Sequence, residues 1–243
     1  MRDWTGKRYW LIGASEGLGE ALAERMSRAG VELVLSARSR DKLEALAERL
    51  PGRAWAVPLD VRDLDSVKAA AEEAGEVDGM IFLAGAYWPF SAREIDAERM
   101  EVIGDINFTG AMRAVSVALP PMVARDRGHV VLTGSLSGFR GLPGAVGYAP
   151  SKAGVMVLAE SMHCDLRKTG VEVQVANPGF IRTRLTDKND FHMPFLMEPE
   201  DAAQRMFEFM SRGGFKHSFP TVFSWLFRGG QFLPDWLYYR IFS

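Results

Sequence analysis

The sequence predicts an α/β fold: a doubly wound, mostly parallel sheet with helices on both faces. Three observations predict it. Short apolar runs alternate with stretches of helical period along the chain, the pattern of repeated strand–helix–strand units. The first run ends in a glycine-rich turn that opens a helix. The chain is 243 residues long with 47% apolar content, enough to bury one sizeable core. Residues 1–243 therefore read as a single domain, with 215–243 as an aromatic C-terminal extension.

Residues Tyr9 to Ala14 (YWLIGA) read as a short apolar strand. Gly13, Gly17 and Gly19 follow in GASEGLG, with Ser15, Glu16 and Leu18 between them. An amphipathic helix then runs through Leu22, Met26 and Ala29. Strand, glycine turn and helix together make a dinucleotide cradle, because the glycines let the backbone approach a pyrophosphate and the helix N-terminus offers free N–H groups to it. The spacing is G-x-x-x-G-x-G rather than the commoner G-x-G-x-x-G, and a plain tight turn is the competing reading. Further strands are predicted at 31–36, 53–58, 78–84, 129–133 and 172–176. Helices are predicted at 40–50, 63–75, 97–125 and 148–169. Right-handed crossovers join such elements into a parallel sheet, and ligands then sit beyond the carboxyl ends of the strands. Gly13, Arg38, Asp60, Gly85, Ser135 and Pro178 all fall at such ends, which points to one shared site. The chain shows no internal repeat and no low-complexity linker.

The composition excludes some functions. The formal net charge is −2 and there is no basic run, so nucleic acid is not an expected partner. A single cysteine, Cys164, rules out an internal disulfide and suits a reducing compartment. Its helical surroundings read as an inert buried thiol. The opening MRDWTGKRYW lacks the apolar core of a signal peptide, and a cytoplasmic location is the expectation. His129, His163 and His217 show no ligand spacing, so no metal is expected.

Tyr148 and Lys152 carry the chemistry. A phenol and an ammonium four residues apart share one face of a helix. The positive charge favours the ionised phenol, whose ordinary pKa near 10 is too high for proton transfer at neutral pH. Ser135, thirteen residues upstream of Tyr148, adds a hydroxyl to hold a carbonyl oxygen. These groups suit protonation or deprotonation of an oxygen while something else moves at the attached carbon.

With the glycine turn upstream, this order of motifs resembles the single-domain branch of the short-chain dehydrogenase/reductase family, over the chain to about Ala203. Gly13, Gly17 and Gly19 match the family's glycine turn. Asp60 and Val61 match the pair that touches the adenine. Ala84 and Gly85 match the end of its N-N-A-G motif. Asn107, Ser135, Tyr148 and Lys152 match the catalytic tetrad. Pro178, Gly179 and Thr183 match the P-G-x-x-x-T segment beside the nicotinamide. The resemblance implies hydride transfer between a nicotinamide and a carbonyl or alcohol carbon. Tyr148 then moves the oxygen's proton, and Ser135 hydrogen-bonds that oxygen. Lys152 holds the nicotinamide ribose and lowers the tyrosine pKa. Asn107 holds a water that links Lys152 to solvent; a kink or a structural hydrogen bond is the alternative. Residues 185–198 fall where the family keeps a mobile substrate loop. A homodimer or homotetramer is the implied assembly. Three positions depart from the pattern. Ile12 stands for a threonine, Phe82-Leu83 for paired asparagines, and Gly134 for a serine. Each implies the loss of a local contact.

An acidic group at the end of the second strand usually marks a preference for NAD. Ser36-Ala37-Arg38-Ser39-Arg40 stands there instead. A guanidinium holds a 2′-phosphate by charge-assisted hydrogen bonds. NADP is therefore favoured over NAD, with Arg38 first and Ser39 or Arg40 assisting, although Arg40 also reads as solvated. Glu16 argues the other way. Tyr87, Trp88, Pro89, Phe90, Leu136, Phe139 and Leu142 are candidate pocket residues. Each of these, like His192, Met193, Phe195 and Met197, reads singly as ordinary core or lid packing, and together they point to an apolar or aromatic carbonyl compound. The aromatic segment 215–243 is too interrupted to span a membrane. It reads as a lid or subunit interface first and as a membrane-docking surface after those. A catalytically silent dinucleotide-binding regulator is the alternative to an enzyme.

Overall fold

The structure, a computed structural model, describes residues 1–242. Strands β1 (Arg8–Ile12), β2 (Glu32–Ser36), β3 (Ala54–Ala56), β4 (Gly79–Phe82), β5 (Gly128–Thr133), β6 (Val171–Pro178) and β7 (Lys216–Phe219) form one sheet. All pairs are parallel, in the order β3-β2-β1-β4-β5-β6-β7. The chain winds outward in both directions from the β1/β4 boundary, which is where an open parallel sheet leaves its ligand crevice.

Alternation along the strands divides the core. Tyr9, Leu11, Leu33, Leu35, Ile81 and Val131 point to one face. There they meet Leu22 and Met26 of α1 (Leu18–Ser27), Leu43 and Leu46 of α2 (Arg40–Arg49), and a later helix, Pro199–Arg212. Trp10, Ile12, Val34, Met80, Phe82, Val130 and Val173 point to the other face. They meet α3 (Leu64–Ala74) and the long helices at 97–124 and 148–166. Burial on both faces is why these strands read as near-continuous apolar runs. It also explains two departures. Ile12 and Phe82 are fully buried and pack in the second core. The backbone N–H groups of Leu83 and Ala84 both donate to the Ile12 carbonyl, at 2.8 and 2.9 Å, so β1 and β4 stay joined without asparagine side chains.

The helix expected at 97–125 is three pieces: α4 (Ala97–Gly104), a π turn at Asp105–Thr109, and α5 (Gly110–Ala124). By length and composition Ala97–Ala124 would suffice to cross a membrane. Its apolar residues Ile103, Ala111, Ala114, Ala118 and Met122 are buried against the rest of the chain instead. α6 is Tyr148–Leu166. It buries the side that carries Lys152, Val155, Met156, Ala159 and Met162. Cys164 lies half a turn away from Val155 and is exposed, which corrects the expectation of a buried thiol. The sequence reading named neither α7 (Pro199–Arg212), which packs along α1, nor β7. The C-terminal extension contributes β7 itself, then α8 (Thr221–Gly230) and α9 (Asp235–Phe242).

Candidate active site

The glycine turn is forced by close approach. A Cβ on Gly13, at φ 100°, would lie 2.4 Å from the Ala84 nitrogen, and one on Gly19 would lie 2.0 Å from the Gly13 carbonyl oxygen. Gly17 has φ 59°, a left-handed conformation that favours glycine. No side chain caps the N-terminus of α1. Its first-turn N–H groups are therefore open to an anion.

Above the carboxyl ends of the strands lies a cavity of about 1340 Å³. Pockets for drug-sized ligands run up to roughly 1,000 Å³, and this larger space can take a dinucleotide and a substrate together. Its lining includes Gly13, Ser15, Glu16, Gly17, Leu18, Gly19, Arg38, Asp60, Val61, Ala84 and Gly85. It also includes Ser135, Tyr148, Lys152, Pro178, Gly179 and Thr183. Asn107 is not part of the lining. Its Oδ1 accepts from the Ala86 N–H at 2.7 Å. Its Nδ2 donates to the Ala86 carbonyl at 3.0 Å and to Ser151 Oγ at 2.9 Å. Both amide hydrogens are thus in use. The side chain clamps the Gly85–Ala86 strand exit to α6.

Ser135, Tyr148 and Lys152 meet where β5 ends and α6 begins. Ser135 Oγ accepts from the Ser137 N–H at 3.2 Å, lies 2.9 Å from Ser137 Oγ, and hydrogen-bonds Tyr148. Lys152 Nζ lies 5.7 Å from the Tyr148 ring centre and donates to the Thr133 carbonyl at 2.9 Å. Burial pushes Lys152 down to about 8. Burial also pushes Tyr148 up to about 12, with the Ser135 bond opposing it and Tyr87 adding to it. For the protein alone this is the opposite of the expected depression: desolvation dominates, and Tyr148 holds its proton at neutral pH. The third departure also finds its reason here. A Cβ on Gly134 would lie 2.2 Å from Asn177 Oδ1 and 2.8 Å from Met156 Cγ, so Asn177 occupies the space a serine would need.

At the far end of the cavity, Arg38, Ser39 and Lys42 line the wall. Arg40 does not; it pairs with Glu44 at 3.4 Å. Glu16 is held by Lys42 at 3.3 Å and by Arg184, which offsets its negative charge. Lys42 and Arg184 were not anticipated, though Lys42 stands in the first turn of α2, four residues after Arg38. Asp60 is held below the usual carboxylate range, mainly by its hydrogen bonds from Arg62, with a contribution from the Arg38 charge.

At the substrate end, Tyr87, Trp88, Pro89, Leu136 and Leu142 line the cavity as expected. Phe90 does not, because it packs with Ile103, and Phe139 packs into the second core. From the loop, Leu185, Lys188, Asn189 and Phe191 reach the cavity, whereas His192, Met193, Phe195 and Met197 do not. Met197 is buried in the first core, bridged to Ile181. Phe180, Phe223 and Phe227 complete the apolar wall and were missed as site residues. The loop is tied down. Lys188 Nζ donates to the Tyr87 carbonyl at 2.8 Å and lies 4.0 Å above the Trp88 ring, and the Tyr87 hydroxyl donates to Asn189 Oδ1 at 2.8 Å.

Comparison with known proteins agrees with this geometry. The family model described as short chain dehydrogenase matches residues 7–193. An uncharacterized oxidoreductase of Myxococcus xanthus is 40% identical over 245 aligned positions, covering 98% of this chain and 97% of the relative. Another, from Staphylococcus saprophyticus, is 30% identical over 80% of this chain and 86% of its own length. Among solved structures, a short-chain dehydrogenase from Sphingobium yanoikuyae in complex with NADPH superposes with a TM-score of 0.84 at 27% identity, covering 92% of this chain and 91% of that one. The chain belongs to the short-chain dehydrogenase family and is an NAD(P)-dependent oxidoreductase.

Proposed function

We propose that the protein is an NADP-dependent carbonyl reductase, or alcohol dehydrogenase in reverse, acting on an apolar substrate. The observation that carries this reading is the meeting of Ser135, Tyr148 and Lys152 in the same cavity that the glycine turn lines. The residues fit a nicotinamide dinucleotide. The uncapped start of α1 suits its pyrophosphate, and Lys152, with one of three N–H groups used on Thr133, has two left for ribose hydroxyls. When bound, the cofactor supplies or takes a hydride. The protein's part is proton transfer and positioning. Tyr148 is protonated at neutral pH, the form that donates to a carbonyl oxygen. Ser135 Oγ holds that oxygen and steadies the charge developing on it. Asn107 acts through Ala86 and Ser151 as a positioning residue. Phe180, Phe223 and Phe227 exclude water from an apolar substrate, and α8 serves as a lid.

Arg38 and Lys42 are assigned to the 2′-phosphate, with Glu16 neutralised by its two cation partners. The NADPH bound to the Sphingobium relative is consistent with that choice. No observation favours a silent regulatory protein. A cytoplasmic homodimer or homotetramer is the assembly we expect, and sizing in solution tests it. Tyr148→Phe tests the mechanism. Turnover of a carbonyl substrate with NADPH should fall about 10²–10⁴-fold, the usual contribution of a general acid, while NADPH binding followed by fluorescence stays near wild type. Equal turnover in both proteins would overturn the assignment.

A further inference from the structure

α8 and α9 each present two different sides. On α8, Phe223 and Phe227 line the cavity, and Phe195 of the loop packs on Phe223 at 5.3 Å. Val222, Trp225 and Leu226 lie three and four residues apart on the opposite side, where they are 62, 62 and 50% exposed. Phe232, in the link between the helices, is 83% exposed, and Trp236 and Tyr239 of α9 are 70 and 56% exposed. Scattered apolar residues on a surface need no explanation, but a run of large ones on one segment does.

The charges on these helices narrow the choice of partner. Arg228 and Arg240 are exposed and have no acidic partner among the described residues. The one acid of the two helices, Asp235, is ion-paired with Arg140. A two-fold contact between copies would set this patch against itself, two exposed arginines from each copy against one acid, Asp235, that Arg140 already holds. Tryptophan and tyrosine with basic residues on a short amphipathic helix suit the interfacial zone of a bilayer, where anionic headgroups meet the arginines and acyl chains meet the rings.

We propose that the outer side of α8 and α9 docks on an anionic lipid bilayer. The lid and the cavity beneath it then sit at the membrane surface. The substrate, on the reductase reading above, is a carbonyl compound that partitions into lipid. The full-length protein is to be sedimented with vesicles of phosphatidylcholine alone or mixed with phosphatidylglycerol. It should pellet with the mixed vesicles, far less with the neutral ones, and less again in high salt. The variant W225S/F232S/W236S changes only exposed side chains. It should lose vesicle binding by about tenfold or more, with NADPH binding unchanged. R228Q/R240Q should lose the preference for anionic lipid. Equal pelleting of wild type and the triple variant would overturn the proposal. So would a wild type that stays in the supernatant, and a triple variant that elutes as a smaller species would then mark the face as a contact between copies. With a long-chain ketone carried in the vesicles, the triple variant should be slower than wild type, and with a water-soluble ketone equal to it. Vesicle binding without turnover of either ketone would overturn the reductase reading and leave the docking in place.

Discussion

Lys152 sets chemistry against stability. Its ammonium is wanted at the site, yet burial holds its pKa at about 8. A lysine with a native pKa below its unfolded value near 10.5 destabilises the folded state wherever its ammonium is charged in both states, and stability rises with pH wherever the unfolded chain binds more protons. That penalty is complete below pH 8 and fades between about pH 8 and 10.5. At one pH unit per about 1.4 kcal/mol it amounts to about 3 kcal/mol. Lys152→Met should therefore raise the melting temperature of the cofactor-free protein at pH 7 while turnover is lost, and the gain should shrink as pH approaches 10. A variant that melts lower at both pH values would contradict this. Gly134 poses the opposite case. Gly134→Ser restores the family's residue but places Cβ against Asn177 Oδ1. It should cost about 1–3 kcal/mol, as overpacking does, with much of the loss recovered in Gly134→Ser/Asn177→Ala. Urea midpoints of the single and double variants measure both. Gly134 is plain in the sequence; its reason lies on β6, more than forty residues away, and was not.

Between β6 and α7 the loop is held by a few identifiable bonds, and these make its closure testable. Lys188 ties it to the Tyr87 carbonyl and the Trp88 ring. Lys188→Met keeps the length of the side chain and removes the donor. A net hydrogen bond to a charged group is worth about 1.5–3 kcal/mol, and this one is exposed and worth less. A roughly fivefold rise in KM with kcat little changed, and faster proteolytic nicking within 185–198, are the expected outcomes. Unchanged KM and nicking would mean the loop is held elsewhere. Such tethers are invisible to a reading by period. So is the π turn at 105–109, since Asp-Ile-Asn-Phe-Thr keeps a helical pattern and the bulge shows only in the fold, in the Gly110 N–H bond to the Asp105 carbonyl. The central strands were legible because burial on both faces makes them continuous apolar runs. β7, with the sequence KHSF, is a strand by virtue of pairing with β6. α7 did carry signals, with Pro199 and two acids in its first turn and Ala202, Met206 and Met210 at helical spacing. At the site, the glycine turn and the Ser135–Tyr148–Lys152 set were legible by their spacing together with the family resemblance that their order carries. Lys42, Phe180, Phe223 and Phe227 arrive from separate elements, and their meeting is a property of the fold.

One network at the opposite end of the sheet from the cavity ties the whole molecule together. His129 of β5 is fully buried between Tyr9 of β1 and Gln174 of β6. Its Nδ1 lies 2.9 Å from the Tyr9 hydroxyl and its Nε2 lies 2.7 Å from Gln174 Oε1. Gln174 Nε2 donates to the Gly214 carbonyl at 2.8 Å, which fixes its Oε1 as the acceptor facing His129. Nε2 of His129 therefore carries the proton and Nδ1 accepts from Tyr9. Trp4 stacks on Phe207 of α7 and lies 5.1 Å from Tyr9, so the N-terminal segment closes over the same network. Burial, assisted by the Arg2 charge, holds His129 down to about 3. The unfolded chain binds this proton near pH 6.5 and the native chain near pH 3. Stability attributable to His129 is therefore whole above pH 6.5 and is lost as pH falls toward 3. The full span is on the order of 5 kcal/mol, a large share of the 5–15 kcal/mol that typically separates folded from unfolded domains. His129→Asn keeps an acceptor for Tyr9 and a donor for Gln174 but no titrating ring. It should be less stable than wild type at pH 7 by about 1–3 kcal/mol, for the volume removed. As pH is lowered the two proteins should converge and then cross, because only wild type must take up the proton to unfold. Urea midpoints measured at intervals between pH 7 and pH 4 test this. Parallel curves would assign the acid sensitivity to the carboxylates of the surface ion pairs and leave His129 a packing residue.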